Sequence, residues 1–306
     1  LELMTHRLLP ILELVLASAI WGIAFVAQRK GNESLNPLLF NGLRFALGTL
    51  AILLVSLWIT RTSKPERFTF RPQFVLLGAV LFIAASLQQI GLLWTSAGSA
   101  GFITGLYVVF VPLIGLWRSQ RPGQSIIAAV VCAVLGLWLI NRGSSIDATF
   151  GNLLVLISAI FWAFHVQLID KLTRRYSSFE LAIWQYLICA LFSLLSWWLG
   201  NMLGWIAPRS LNSIGASIWQ AALPLLYGGL ASVGIAYTLQ LHAQKSVPPA
   251  PASIILCLEA VFALLGGWML LSERLTVYAL SGAGLLLMAM LISVWASARA
   301  ISSDFD

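Results

Sequence analysis

Ten apolar runs, each long enough to cross a bilayer as a helix, follow one another along this chain. They cover residues 8–27, 38–60, 73–94, 99–117, 123–141, 152–170, 179–200, 217–241, 250–271 and 276–297. A hydrocarbon core about 30 Å thick is crossed by roughly 20 helical residues, and the loops left between the runs are too short to form a catalytic domain. Membrane strands are excluded, because an outer-membrane barrel alternates apolar with polar residues and stretches such as 75–82 and 280–294 do not. A soluble protein is excluded too: 9% charged residues against 59% hydrophobic ones cannot cover a water-facing surface. The expected fold is an all-α integral membrane protein with ten transmembrane helices.

The few charges then set the orientation. The net charge of +7 comes from basic residues standing singly between apolar runs, not from a stripe that could hold nucleic acid. Arg7, Arg61, Lys64, Arg67, Arg71, Arg118, Arg121, Lys171, Arg174, Arg175, Lys245 and Arg299 fall on the side of the N-terminus. Only Arg29, Lys30, Arg142, Arg209 and Arg274 fall on the other, and Arg44 lies within the second run. Basic residues collect in cytoplasmic loops, so both termini are expected in the cytoplasm of a multi-pass protein of the bacterial inner (plasma) membrane. The first run reaches full spanning length without an A-x-A exit and is read as a span, not as a cleaved signal peptide. Cys132, Cys189 and Cys257 occupy different runs with no CxxC and no neighbouring His, which suits small apolar packing residues better than metal ligands. No metal and no cofactor is expected.

The chain also repeats itself. Residues 14–20 (LVLASAI) return as residues 154–160 (LVLISAI), six identities in seven. Trp21-Gly22 faces Trp162-Ala163 after a one-residue shift, Arg44 faces Gln185, Leu113-Ile114-Gly115 faces Leu264-Leu265-Gly266, and Ser119-Gln120-Arg121 faces Ser272-Glu273-Arg274. Every match pairs run n with run n+5. Five is odd, so the second copy enters the membrane from the opposite face, and residues 8–141 and 152–297 form two inverted five-helix repeats. Inverted repeats give secondary carriers two related conformations around a site near the midplane.

Four stretches resemble the EamA family of the drug/metabolite transporter superfamily: Ser18-Ala19-Ile20-Trp21-Gly22, Arg44-Phe45, the segment from Thr95 to Gly101, and Leu258 to Gly266 followed by Ser272-Glu273-Arg274-Leu275. The resemblance covers nearly the whole chain and implies a ten-helix carrier of inverted halves that exports small metabolites, the bacterial amino-acid exporters looking most similar. One departure stands out. The family's second half usually reads Glu-Pro where this chain has Glu259-Ala260, so a milder kink is expected there.

Polar and aromatic residues inside the spans are the candidates for the substrate pathway. Ionisable groups in hydrocarbon are costly and functional by default. Glu259 lies roughly 14 Å into its span at 1.5 Å per residue; a proton site, an ammonium-binding carboxylate and a structural partner are all open to it. Arg44 is read as an anchor reaching the interface or as a carboxylate-binding group, and Glu13 as an interfacial anchor. His165 suits proton coupling or a neutral hydrogen bond to a neighbouring helix. Gln88, Gln89, Gln185 and Gln240 are neutral polar groups. Trp21, Trp94, Tyr107, Trp162, Trp184, Tyr227 and Tyr237 offer aromatic faces with polar tips. Gly98, Gly101 and Gly105 around the fourth span and Pro248, Pro249 and Pro251 around the ninth are candidate gating positions, an outer and an inner hairpin tip respectively.

The chain has no GxxxxGK[ST], no His-Glu-x-x-His and no G-x-S-x-G at a strand-to-helix turn, so neither an ATP-driven pump within this chain nor a hydrolase has a footing. An intramembrane enzyme would need acid, base or metal ligands converging at one depth. The expected function is alternating-access export of small metabolites, amino acids first, and a nucleoside, sugar-derivative or cation carrier is the alternative. The partners are the lipid bilayer and a small-molecule substrate, and small-residue faces such as Gly282 and Gly284 leave monomer and homodimer both open.

Overall fold

The computed structural model describes residues 2–60, 69–95, 97–141, 150–206, 211–271 and 276–302. Ser96, the Ser272 to Leu275 motif, and Arg61, Lys64, Arg67, Arg142, Arg209 and Arg274 of the charge pattern lie outside them. Among the described residues every regular element is helical. The helices are α1 (Glu2–Ser34), α2 (Pro37–Thr60), α3 (Pro72–Gly91), α4 (Ala97–Gly105), α5 (Tyr107–Trp117), α6 (Gln124–Asn141), α7 (Phe150–Thr173), α8 (Ser178–Met202), α9 (Leu211–Gln220) and α10 (Ala222–Leu226). A π-helical stretch (Tyr227–Tyr237) follows, then α11 (Thr238–Ala243), α12 (Pro249–Leu256), α13 (Glu259–Leu271) and α14 (Val277–Ser302).

Among the described residues, eight stretches are long and apolar enough to cross a membrane: Leu8–Ser34, Pro37–Trp58, Pro72–Gly91, Ala97–Trp117, Phe150–Thr173, Ser178–Met202, Ala222–Ala243 and Pro249–Leu270. The fifth and tenth apolar runs lie in α6 and α14, whose apolar stretches Gln124–Leu139 and Leu280–Ala296 are shorter. Local chemistry places several starts. Pro72 and Pro249 sit in first turns, where a missing N–H costs nothing, and the Ser177 hydroxyl caps α8 by accepting from the Glu180 N–H at 3.1 Å.

Two boundaries differ from the hydropathy reading. The first helix continues past residue 27 through the polar Gln28-Arg29-Lys30 to Ser34, because such residues end an apolar run without disfavouring a helix. The eighth run begins at Ala222, and residues 211–220 form a separate amphipathic helix.

The fourth and ninth spans are each broken in the middle. Leu106 interrupts α4 and α5, with its N–H turned back to Ile103 O at 3.2 Å, and Cys257-Leu258 interrupts α12 and α13, with Leu258 N–H on Ile255 O at 3.1 Å. The break beside Glu259 therefore forms without a proline at residue 260; tight turns of the i to i+3 kind are enough to make it. The two breaks touch, since the Cys257 thiol donates to the Gly105 carbonyl at 3.1 Å.

Helix packing follows the numbering of the repeat. Numbering the ten apolar runs in sequence order, the main pairs are second with seventh, fifth with tenth, third with sixth and first with eighth, first with ninth and fourth with sixth, and third with seventh and second with eighth. Exchanging each span for the one five places on maps this set onto itself. Close approach at the crossings needs glycine: a Cβ on Gly91 would stand 2.9 Å from Gly151 O, and one on Gly151 would stand 2.7 Å from Gly91 O. Gly282 is taken up inside the chain, its carbonyl lying 2.7 Å from where a Cβ on Gly136 would sit, whereas Gly284 faces open space.

Candidate functional site

A cavity of about 40 Å³ lies in the middle of the bundle. Trp21, Phe25 and Gln28 reach it from α1, Arg44 from α2, Gln88 from α3, Thr104 and Tyr107 from α4 and α5, Trp162 and Val166 from α7, and Ser232, Tyr237, Gln240, Leu256 and Glu259 from the eighth and ninth spans. Since a water needs roughly 10–15 Å³ of such space, the cavity has room for about three waters.

Tyr237 is the hub of its aromatic wall. The Trp21 ring lies 4.6 Å away, Trp162 stacks at 5.9 Å with 23° between planes, and Phe45 and Tyr186 stand behind at 6.1 Å. The π-helical stretch sets up this wall. Its wider i to i+5 turn presents the Ser232 carbonyl to the Trp21 indole N–H at 3.1 Å. Its glycines also let α2 pack tightly: a Cβ on Gly229 would meet Leu47 at 2.7 Å.

Two ionisable groups line the cavity, Arg44 on the second span and Glu259 on the ninth, 2% and 4% exposed. Arg44 donates from Nε to Asn41 Oδ1 at 2.8 Å and lies over the Phe45 ring at 5.0 Å. Glu259 stands at the start of α13 with Oε1 lacking a hydrogen-bond donor. The Tyr107 hydroxyl is close enough to interact with that carboxyl, although it makes no hydrogen bond of good geometry. Gln88 is fixed by donating to Thr104 Oγ1 at 2.9 Å, and Gln240 by donating to Gln244 Oε1 at 3.0 Å.

Of the residues singled out from the sequence, Trp21, Arg44, Gln88, Tyr107, Trp162, Tyr237, Gln240 and Glu259 come together at this cavity. The others do not line it. Gln89 points to α1, donating to Gln28 O at 3.1 Å and Asn32 Oδ1 at 2.7 Å. His165 Nε2 and Gln185 Oε1 are hydrogen-bonded at 2.8 Å one layer behind, with the imidazole edge-on to Trp162 and Tyr237. Trp184 packs edge-on against Phe70 at 5.1 Å, and the exposed Trp94 packs against Phe150 at 5.5 Å. Tyr227 donates to Ile20 O at 2.9 Å.

Gly101 and Gly105 lie in α4 against Ala263 and Leu137, while Gly98 has open space beside it. Pro248 precedes α12, and Pro249 and Pro251 are buried in its first turn. Gln28, Thr104 and Ser232 are cavity residues that hydropathy does not flag. Gln28 sits in the polar stretch that closes the first apolar run, and Thr104 and Ser232 are small enough to be lost among apolar neighbours.

At one end of the bundle a polar cluster ties the fourth span to the sixth. Asp170, 2% exposed, receives Arg118 at 3.4 Å and Arg174 at 3.0 Å. Arg118 also donates to the Gln167 carbonyl and side chain at 2.8 and 2.7 Å. The turn that delivers Arg118 is strained, with Ser119 at φ 60° and Gln120 N–H closing on Gly115 O at 2.9 Å. At the same end Glu13 and His242 Nδ1 meet at 2.8 Å, joining the first span to the eighth. The opposite end, where α7 begins, holds a depression of about 350 Å³ bordered by Asn32, Glu33, Asn36, Trp197, Asn201 and Trp205.

Residues 8–142 and 149–295 each match the EamA-like transporter family. The chain belongs to that family. This EamA-family protein is 28% identical over 292 residues to an uncharacterized transporter of Archaeoglobus fulgidus, covering 94% of this chain and 86% of that protein. It is 23% identical to the uncharacterized transporter YoaV of Bacillus subtilis, covering 94% and 97% of the two chains. A probable amino-acid metabolite efflux pump of Salmonella typhimurium is 26% identical over 299 residues, covering 92% and 93%. A solved crystal structure superposes with a TM-score of 0.75 over 95% of this chain and 98% of the other at 14% identity, a likeness of fold. The EamA-family fold thus frames the cavity from both matched segments.

Proposed function

We propose that this EamA-family membrane transporter is a secondary carrier that exports small metabolites, amino acids foremost, across the bacterial inner membrane by alternating access. In this reading residues 8–141 and 152–297 are inverted five-helix halves, ten spans in all, with both termini in the cytoplasm. The observation that carries it is the central cavity, which takes residues from the first four spans and from the sixth, eighth and ninth. A site shared between inverted halves, at the contact of two broken helices, is what exchange of access needs. The packing pattern supports the halves, because it is unchanged when spans are shifted by five. The similarity to a probable amino-acid metabolite efflux pump supports the substrate class.

The hairpin tips carrying Gly98, Gly101 and Gly105 on one side and Pro248, Pro249 and Pro251 on the other are the proposed gates, and the Asp170 cluster holds the cytoplasmic end shut in this conformation. Purified protein in proteoliposomes tests the carrier directly. Saturable uptake and counter-flow of amino acids, screened beside nucleosides, sugar derivatives and organic cations with and without a pH gradient, is the expected result. Flux that neither saturates nor shows counter-flow would make the protein a channel, and a preference for another class would move the substrate.

A further inference from the structure

We infer that the central cavity is a two-pole receptor for a free zwitterion, in which the Arg44 guanidinium takes a carboxylate and the Glu259 carboxylate takes an ammonium group. The inference rests on the reading of this cavity as the transport site and adds which atoms of the substrate are read, and by what.

The two charges lack the partners that buried charges need. The ion pairs among the described residues are Lys30–Glu33, Arg118–Asp170, Arg174–Asp170 and His242–Glu13, and neither Arg44 nor Glu259 belongs to any of them. An unpaired charge in the middle of a membrane protein is strongly unfavourable, and such groups pair or mark a substrate path. Arg44 uses Nε on Asn41, and the phenylalanine rings beside it lessen the cost without supplying an anion. Its other nitrogens form the planar fork that matches a carboxylate in two parallel hydrogen bonds.

The cavity also holds acceptors without donors. Glu259 Oε1 has no donor, and the side-chain oxygens of Gln28 and Gln240, both lining the same cavity, have none either. An ammonium group has three N–H donors and no acceptor, so it fits this set where a second carboxylate would be repelled. Tyr237 lines the same cavity as both charged groups. Its ring and the Trp21 and Trp162 rings give an apolar side chain a surface to rest on. A simple cation would leave Arg44 unpaired and a simple anion would leave Glu259 unpaired, so each is disfavoured by the pole it does not fill.

The test is counter-flow in proteoliposomes with three mass-resolved pools: the common amino acids, their amides, which lack the carboxylate, and their N-acetyl derivatives, which lack the ammonium. The wild-type protein is expected to exchange amino acids at least 100-fold faster than either derivative. Arg44→Gln is expected to lower amino-acid exchange and shrink the preference over amides at least tenfold, leaving the preference over N-acetyl derivatives in place. Glu259→Gln is expected to do the converse, a crossed pattern that a merely structural role does not produce. Arg44→Lys keeps the charge without the fork and should fall between. Wild-type exchange of amides or N-acetyl derivatives at the amino-acid rate overturns the inference without needing any variant to fold, and so do folded variants that keep the wild-type ranking. Wild-type exchange of nucleosides or sugar derivatives but none of the three pools overturns it while leaving the carrier standing. No exchange of any compound removes the carrier reading as well.

Discussion

Replacing Gly22 by alanine sets two effects of opposite sign against each other. In an unhindered helix the change is favourable by about 1 kcal/mol, the difference in helix propensity. Here the added Cβ would stand 2.5 Å from Phe262 Cβ, 2.6 Å from Glu259 O and 2.7 Å from Ala263 N. All three atoms belong to the backbone or sit next to it, so no rotamer change makes room, and α1 and α13 must separate by about 0.7–0.9 Å to restore ordinary contact at 3.4 Å. Overpacking of this kind costs about 1–3 kcal/mol, which outweighs the propensity gain. It also displaces the peptide that carries Glu259. Gly284→Ala is the control, because nothing lies within 4 Å of its Cβ position and only the propensity gain remains. Thermal unfolding in detergent should therefore shift down for Gly22→Ala by several degrees, at roughly 2–4 °C per kcal/mol, and slightly up for Gly284→Ala. Transport by Gly22→Ala should lose apparent affinity. A Gly22→Ala protein as stable as Gly284→Ala, with unchanged transport, would refute the close crossing of the first and ninth spans.

The other predictions concern single contacts. Ser119→Gly relieves a left-handed residue at the end of α5 and should stabilise the protein by about 0.5–1 kcal/mol in the same unfolding assay. Asp170→Asn removes the charge shared by Arg118 and Arg174; since those side chains are 33% and 69% exposed, the loss should be about 1–2 kcal/mol, not the larger value of a fully buried pair. It should also raise labelling of a cysteine placed at Gln167. Gln89→Leu removes two hydrogen bonds to α1 and should cost about 1–3 kcal/mol. Its ranking of transported compounds should stay that of the wild type, because the side chain lies outside the cavity; a changed ranking would show that Gln89 reaches the substrate.

The helices were legible because hydropathy measures what a bilayer selects for, and the pairing of spans was legible because LVLASAI and LVLISAI carry the repeat in the chain itself. What hydropathy does not report is rotation. Gln88 and Gln89 are adjacent, and the roughly 100° between neighbours in a helix turns one to the cavity and the other to α1. Trp162 and His165 share one turn, yet only the indole reaches the cavity, the imidazole being held back by Gln185. A list of polar residues inside spans therefore contains the site and also the bonds that hold the site in place, and depth alone does not separate them. Proline is also not what places the helix breaks. Glu259-Ala260 lacks the residue that ordinarily breaks a helix, but the break forms at Cys257-Leu258, and its counterpart forms at Leu106, also without a proline. The two breaks meet, the Cys257 thiol reaching Gly105 O. A contact between the two breaks accompanies them, and the local sequence permits each without a proline.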